Sequence, residues 1–151
     1  MEWMLMPLRR YADFKGRSRR KEFWLWVLLN MIVMTVFVGL FFATGGYQTV
    51  IDAGKNGAFA VYGAMFSGFG LLFAVWGLVT LVPNIAVTVR RLHDRDLSGW
   101  WYLAVVLLAM IPYIGGLVNI GFLVLMCLEG THGPNRFGPD PRETGGAMVF
   151  A

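Results

Sequence analysis

Of 151 residues, 57% are hydrophobic and only 15% are charged, with a mean hydropathy of +0.59. A soluble domain carries roughly 45–50% apolar and about 25% charged residues, so the charges here are too few to cover the apolar surface in water, and a soluble globular class is excluded. The formal charge of +4 does not point to nucleic acid, because the basic residues sit beside apolar runs, the pattern of membrane orientation and anionic-lipid contact.

Residues 1–22 form a basic segment carrying Arg9, Arg10, Lys15, Arg17, Arg19, Arg20 and Lys21. Ser18 is expected to cap the helix that follows, and Glu22 to lie in its early turns, where a carboxylate is favoured. The interleaved Tyr11, Phe14, Phe23, Trp24 and Trp26 suit an interfacial aromatic belt. Residues 23–44 are uncharged. At 1.5 Å per residue they reach roughly 33 Å, enough for a hydrocarbon core of about 30 Å. The run exceeds the roughly 7–15 apolar residues of a signal peptide, so it reads as a retained anchor, ended by Gly45 and Gly46.

Residues 47–57, with Asp52, Lys55 and Asn56, read as a short polar connection. The second apolar run, 58–89, is longer than one perpendicular span requires. Pro83 removes a backbone donor and crowds the preceding turn, so the span is expected to run from 58 to about 82. Ala60, Ala64 and Gly68, four residues apart, form a small-residue stripe suited to close helix packing.

Residues 90–99 bring Arg90, Arg91, His93, Asp94, Arg95 and Asp96 together, and an ion-pair cluster of Arg90, Arg91, Asp94 and Asp96 is expected. His93 and Asp94 are adjacent and do not face each other on a helix. One His with one Asp is too few ligands for zinc even with His132 nearby, so no metal site is expected. Ser98 is placed to cap a helix entered at Trp100. The uncharged stretch 100–128 is interrupted by Pro112, Gly115 and Gly116. It reads either as one kinked span or as a hairpin with legs of about 97–111 and 114–129. Proline followed by paired glycines is a turn signal, which favours the hairpin. Cys127, the single cysteine, reads as a small buried apolar residue.

The apolar runs 23–44, 58–89 and 100–128 contain no Asp, Glu, Lys, Arg or His, which argues against proton relays, ion-coupled carriers and voltage sensors. Asn30, Asn84 and Asn119 are expected to bond between helices. Residues 129–151 form a tail whose first part, 130–141, holds three prolines and three glycines. A turn-rich loop follows from that, with Asn135, Arg136 and Asp140 as its directional groups and a flexible continuation after Pro141. Apart from Lys55, every basic residue lies in the N-terminal segment, the 90–99 loop or the tail. The positive-inside rule therefore puts the first two in the cytoplasm. With four spans the tail joins them, and with three it lies outside. The expected fold is all-α, a multi-pass transmembrane helical bundle with spans at about 23–44, 58–82, 97–111 and 114–129, the last two being the hairpin.

Three segments carry a resemblance: Phe14-Lys-Gly-Arg-Ser-Arg-Arg-Lys-Glu-Phe-Trp24, then Arg90-Arg-Leu-His-Asp94 with Ser98-Gly-Trp-Trp101, and Gly130-Thr-His-Gly-Pro-Asn-Arg-Phe-Gly-Pro-Asp-Pro141. In these motifs and their order the chain resembles the small bacterial inner-membrane proteins grouped as domain of unknown function 805, from about Tyr11 to Pro141. The resemblance implies a small multi-pass protein of the inner membrane and carries over no catalytic residue. A longer stretch before Arg90 sets this chain apart from the family's pattern.

The functional expectation is a non-enzymatic module whose motifs converge on one cytoplasmic surface. Its residues are Arg17, Arg20, Glu22, Arg90, Arg91, His93, Asp94, Ser98, Trp100, Asn135, Arg136 and Asp140. Such a surface would bind anionic headgroups, a protein partner or a second copy of the chain, with no cofactor and no nucleic acid. One competitor is an oligomeric channel or transporter, supported by the glycine-rich second helix and Asn84. The other is an enzyme acting on lipid headgroups, to which clustered Arg, His and Asp are suited. It lacks a nucleophile–base pair or metal-ligand spacing.

Overall fold

The N-terminal residues make a first short helix, α1 (Glu2–Arg9), and a turn-rich stretch then leads into α2 (Arg20–Ala43). Nothing interrupts α2: it has no proline, its only glycine is Gly39, and its last charge is Glu22 in the first turn. In the computed structural model, which describes residues 2–66 and 68–142, five more helices follow. They are α3 (Gly46–Gly54), α4 (Ala58–Phe66), α5 (Phe69–Asp94), α6 (Trp100–Ala109) and α7 (Ile114–Cys127). Among the described residues the chain is all-helical, and its only β feature is an isolated bridge between Asn135 and Gly138.

The chain divides into two compact units, one of residues 1–26 and 83–151, the other of residues 27–82. In the second unit, α2 and α5 meet antiparallel. Trp76 Nε1 donates to Asn30 Oδ1 at 3.2 Å, and Phe37 packs edge-on to Phe73 and Trp76 at 5.5 and 6.5 Å. The same unit departs from the sequence expectation in two places. The segment read as a polar connection is helical: α3 has glycine only at its ends, and Lys55 pairs with Asp52 one turn back at 2.6 Å. It packs against α4, with Gly54 facing Val61. The apolar run also breaks earlier, because Gly68 takes a left-handed φ of 54° between α4 and α5. Ala60, Ala64 and Gly68 therefore do not form one stripe on one helix.

Pro83 does not end the second long helix. α5 runs through it for 26 residues to Asp94, with Pro83 fully buried. Proline is tolerated in a packed membrane helix, where neighbours accommodate the freed carbonyl. Its uncharged part, residues 69–89, is about 31 Å long, enough to match a hydrocarbon core without the residues before Gly68. Among the described residues, α2 and α5 are the two helices long and apolar enough to cross a membrane.

In the first unit, Trp26 Nε1 donates to Asn84 Oδ1 at 2.5 Å, so Asn84, like Asn30, links α2 to α5. Asn119 does not: its amide bonds Gly115 O at 2.9 Å within its own helix. α6 and α7 pack as a helical hairpin, with Tyr102 and Phe122 rings 6.0 Å apart. Tyr113 turns the chain with a positive φ of 68°, and a Cβ on Gly115 would overlap the Ala109 carbonyl, so only glycine fits there. With 10 and 14 residues, the legs measure about 15 and 21 Å, less than a full core. Cys127 is exposed rather than buried, because α7 turns Met126 inward at that level.

Burial runs opposite to that of a soluble fold. Large apolar side chains such as Met31, Val36, Leu78, Leu107 and Leu117 are exposed, while Arg17, Glu22, Arg90, Arg91, Asp94 and Asp140 are buried. Exposed apolar area on this scale is stable against lipid, not water.

Candidate functional site

The buried charges all belong to the first unit and are assembled by the end of α5. Arg90 and Arg91 are consecutive on a helix, hence about 100° apart, and they reach different neighbours. Arg90 turns to the N-terminal segment. Its Nη2 is 2.8 Å from Glu22 Oε1, its Nη1 donates to the carbonyls of Asp13 and Arg10, and its own carbonyl accepts the Ser18 N–H at 3.1 Å. Asp13 is fixed in turn by Arg10 at 2.6 Å and by the Lys15 N–H at 3.0 Å. Burial alone would raise the Asp13 carboxyl. The hydrogen bonds from Arg10 and Lys15 outweigh that and hold it below its usual value.

Arg91 turns to the end of α7. Its guanidinium donates to Met126 O at 3.2 and 3.3 Å and to Leu128 O, carbonyls that a helix terminus leaves without partners. Its Nη1 pairs with Asp94, and the other Asp94 oxygen takes Arg17 Nε at 3.0 Å. Arg17 completes its fork on the tail, donating to Gly133 O at 2.6 Å and Thr131 O at 2.5 Å. The Asp94 carbonyl accepts the Thr131 N–H at 2.8 Å. The carboxylate lies so close to Gly130 that a Cβ there would overlap it, which is why the tail enters on glycine. Arg17, Asp94 and Arg91 thus tie all three motif segments together.

The tail loop closes over this network. The His93 ring stacks on Phe137 at 3.9 Å with 4° between the planes, and its Nδ1 lies 3.2 Å from Gly16 O. Asn135 Nδ2 donates to His93 O at 2.9 Å and to Thr131 Oγ1 at 3.1 Å, while its Oδ1 accepts the Phe137 N–H. Asp140 accepts from Gly133 N at 3.1 Å, Arg142 N at 2.9 Å and the Arg142 side chain at 2.9 to 3.2 Å. The Arg142 hydrogen bonds, ahead of every other influence, hold its carboxyl far below the usual carboxylate range. The same contact raises Arg142.

Of the residues singled out in the sequence, Arg17, Glu22, Arg90, Arg91, His93, Asp94, Asn135 and Asp140 meet in this assembly. Arg20 and Arg136 lie at its exposed rim, paired with Glu129 at 2.5 Å and Asp96 at 3.1 Å. The expected cluster of Arg90, Arg91, Asp94 and Asp96 is therefore divided, with only Arg91 and Asp94 paired to each other. Trp100 is 77% exposed and stands apart. Neither serine is a side-chain cap. Ser18 Oγ is buried without a hydrogen-bond partner, and Gly99 occupies the cap position of α6 with no side-chain cap bond. The sequence reading missed Asp13, Thr131, Gly130, Phe137 and Arg142. Only the glycine and aromatic punctuation of the tail hinted at them. His132 is exposed, and among the described residues no three His, Cys, Asp or Glu side chains converge as metal ligands. Residues 143–151, read as flexible, lie outside the described residues.

An all-helical chain with two membrane-length apolar helices and a buried ionic network defines a small helical membrane protein. The chain belongs to the family described as Protein of unknown function (DUF805), whose model matches residues 11–139. It is 40% identical over 142 residues to "Inner membrane protein YhaH" of Escherichia coli strain K12, covering 94% of this chain and 98% of that one. It is 38% identical to "Inner membrane protein YhaI" of the same strain, covering 94% and 97%. A more distant relative, "Uncharacterized protein YiiR", is 30% identical over 149 residues. No solved structure matches.

Proposed function

We propose that this protein is a non-enzymatic module of the inner membrane whose ionic cap faces the cytoplasm and binds the anionic headgroups of the inner leaflet. The observation that carries this reading is where the charge lies. The unit holding the cap contains twelve basic and eight acidic residues, the whole net charge of the chain, while the other unit contains only Asp52 and Lys55. A juxtamembrane excess of Lys and Arg is attracted to anionic lipid and retained on the cytoplasmic side.

Contact geometry supports a common side for the three motifs. Groups within hydrogen-bond distance cannot be divided by a hydrocarbon core of about 30 Å, and Arg17 touches both Asp94 and the tail. In this reading α2 and α5 cross the membrane, and the α6–α7 hairpin enters and leaves by the same face as the third and fourth membrane segments. Its short legs are accommodated by local thinning or by packing against longer helices. Two engineered thiols test it, Lys15→Cys and Arg136→Cys, each in a Cys127→Ser background. Both are expected to react with an impermeant maleimide in inverted membrane vesicles and to be protected in intact spheroplasts. Labelling of the two from opposite sides would overturn the reading.

A further inference from the structure

Beside the Arg91–Asp94 pair a cavity of about 160 Å³ opens between the start of α2 and the tail, lined by Arg19, Arg20, Lys21, Arg91, Asp94 and Arg142 among others. We propose that this cavity is a binding site for a phosphate group. The inference rests on the reading of the cap as an anion-binding surface and assigns that binding to one place.

Charge is the first argument. Five cations line the cavity against a single carboxylate, and that carboxylate, Asp94, is already shared between Arg17 and Arg91. Arg20 and Arg142 have acidic partners in Glu129 and Asp140, but Lys21 makes no ion pair among the described residues. Arg19 is the second argument. Its Nη2 donates to Pro141 O, whereas its Nε is buried with no acceptor. The guanidinium also lies 5.5 Å over the Trp3 ring, and the two contacts fix it as a cation at the wall of the cavity.

Two further features agree. Arg20 opens a helix of 24 residues, whose first-turn N–H groups and dipole favour an anion there. The volume corresponds to about five waters at roughly 30 Å³ each, room for a tetrahedral phosphate with its ester substituent or its hydration. The cavity also sits beside the residues that begin the apolar run of α2, the level at which headgroup phosphates lie. A lipid headgroup and free phosphate present the same chemistry, and the test separates them.

The full chain is purified in a neutral detergent and reconstituted into nanodiscs of phosphatidylcholine with phosphatidylglycerol. Native mass spectrometry reads the retained phosphatidylglycerol, and titration with inorganic phosphate in detergent reads the free anion. Arg19→Gln and Lys21→Gln are compared with Lys15→Gln, a cation outside the cavity. Lys21 is exposed, so its variant leaves the fold intact, and Arg19→Lys restores a charge where Arg19→Gln loosens the segment. The expected result is a loss of about tenfold in phosphatidylglycerol retention for Arg19→Gln and Lys21→Gln, near 1.4 kcal/mol, with Lys15→Gln close to wild type. Binding of inorganic phosphate alone, lost in the same two variants, keeps the site and removes the lipid reading of the cap. Equal phosphatidylglycerol retention in all variants with no phosphate binding keeps the lipid reading and removes the site. Binding of neither removes both.

Discussion

Arg90 and Glu22 show most directly what holds the cap together. Both side chains are almost wholly excluded from solvent, at 0% and 2% exposure, and they meet at 2.8 Å. Burying one charge alone is expensive, because its hydration is lost with nothing in return. Removing one partner of such a pair costs about 3–5 kcal/mol, while replacing both with apolar groups of similar volume is often neutral. Glu22→Gln or Arg90→Met alone is therefore expected to destabilise the protein by that amount, and the double variant Glu22→Leu with Arg90→Met to recover most of the loss. Thermal unfolding of the purified protein measures it; equal loss in the double variant would mean that the pair stabilises through its bonds to Asp13 and Arg10 instead. The basic and acidic residues of the cap were legible as a group, but their pairing was not. Arg90 selects Glu22, 68 positions away, and Arg91 selects the carbonyls of Met126 and Leu128, which carry no sequence signature. Ser18 and Ser98 misled because a serine before an apolar run signals a cap, yet Ser18 lies two residues before α2 with its N–H bound to Arg90 O, and Gly99 rather than Ser98 takes the cap position of α6.

Helices proved legible where one strong signal ruled and illegible where two competed. The Pro112, Gly115 and Gly116 cluster predicted a turn, and the hairpin turns there. Pro83 predicted an end, and α5 continues through it, because a single proline in a packed apolar helix is tolerated. α3 was missed since Asp52, Lys55 and Asn56 read as a connection, although Asp52 lies in its last turn and pairs with Lys55 just beyond its end. The hairpin also yields a test. Gly115 abuts the Ala109 carbonyl, so Gly115→Ala forces backbone apart where nothing flexible can yield. Overpacking of this kind costs about 1–3 kcal/mol. Cysteines at Tyr102 and Phe122, in a Cys127→Ser background, report the packing of the legs. Ready oxidative cross-linking is expected in the parent and clearly slower cross-linking with Gly115→Ala. An unchanged rate would show that the turn is held from its flanks rather than by that close approach.

At the scale of the molecule, charge is arranged in two layers that salt distinguishes. The inner layer is the set of buried pairs, Arg90 with Glu22 and Asp94 with Arg17 and Arg91. The outer layer is the excess of exposed cations, Lys15, Arg20, Lys21 and Arg136 among them. Mobile ions screen exposed charges over a Debye length that falls from about 10 Å at 0.1 M to about 3 Å at 1 M, but they hardly reach a pair enclosed by protein. Raising sodium chloride across that range is thus expected to shift the unfolding midpoint of the purified protein by less than about 4 °C, the change that about 1 kcal/mol produces in a chain of this size. On the proposed lipid-binding reading, the same increase is expected to weaken retention of anionic lipid, since each Lys or Arg near an anionic surface contributes about 1 kcal/mol and that attraction falls off within a Debye length. The two readings come from one sample, nanodiscs containing phosphatidylglycerol, by differential scanning fluorimetry and by lipid quantification after washing. Folding that collapsed with salt would place the ion pairs in contact with water. Lipid retention indifferent to salt would assign it to the apolar helices and leave the cap with no part in it.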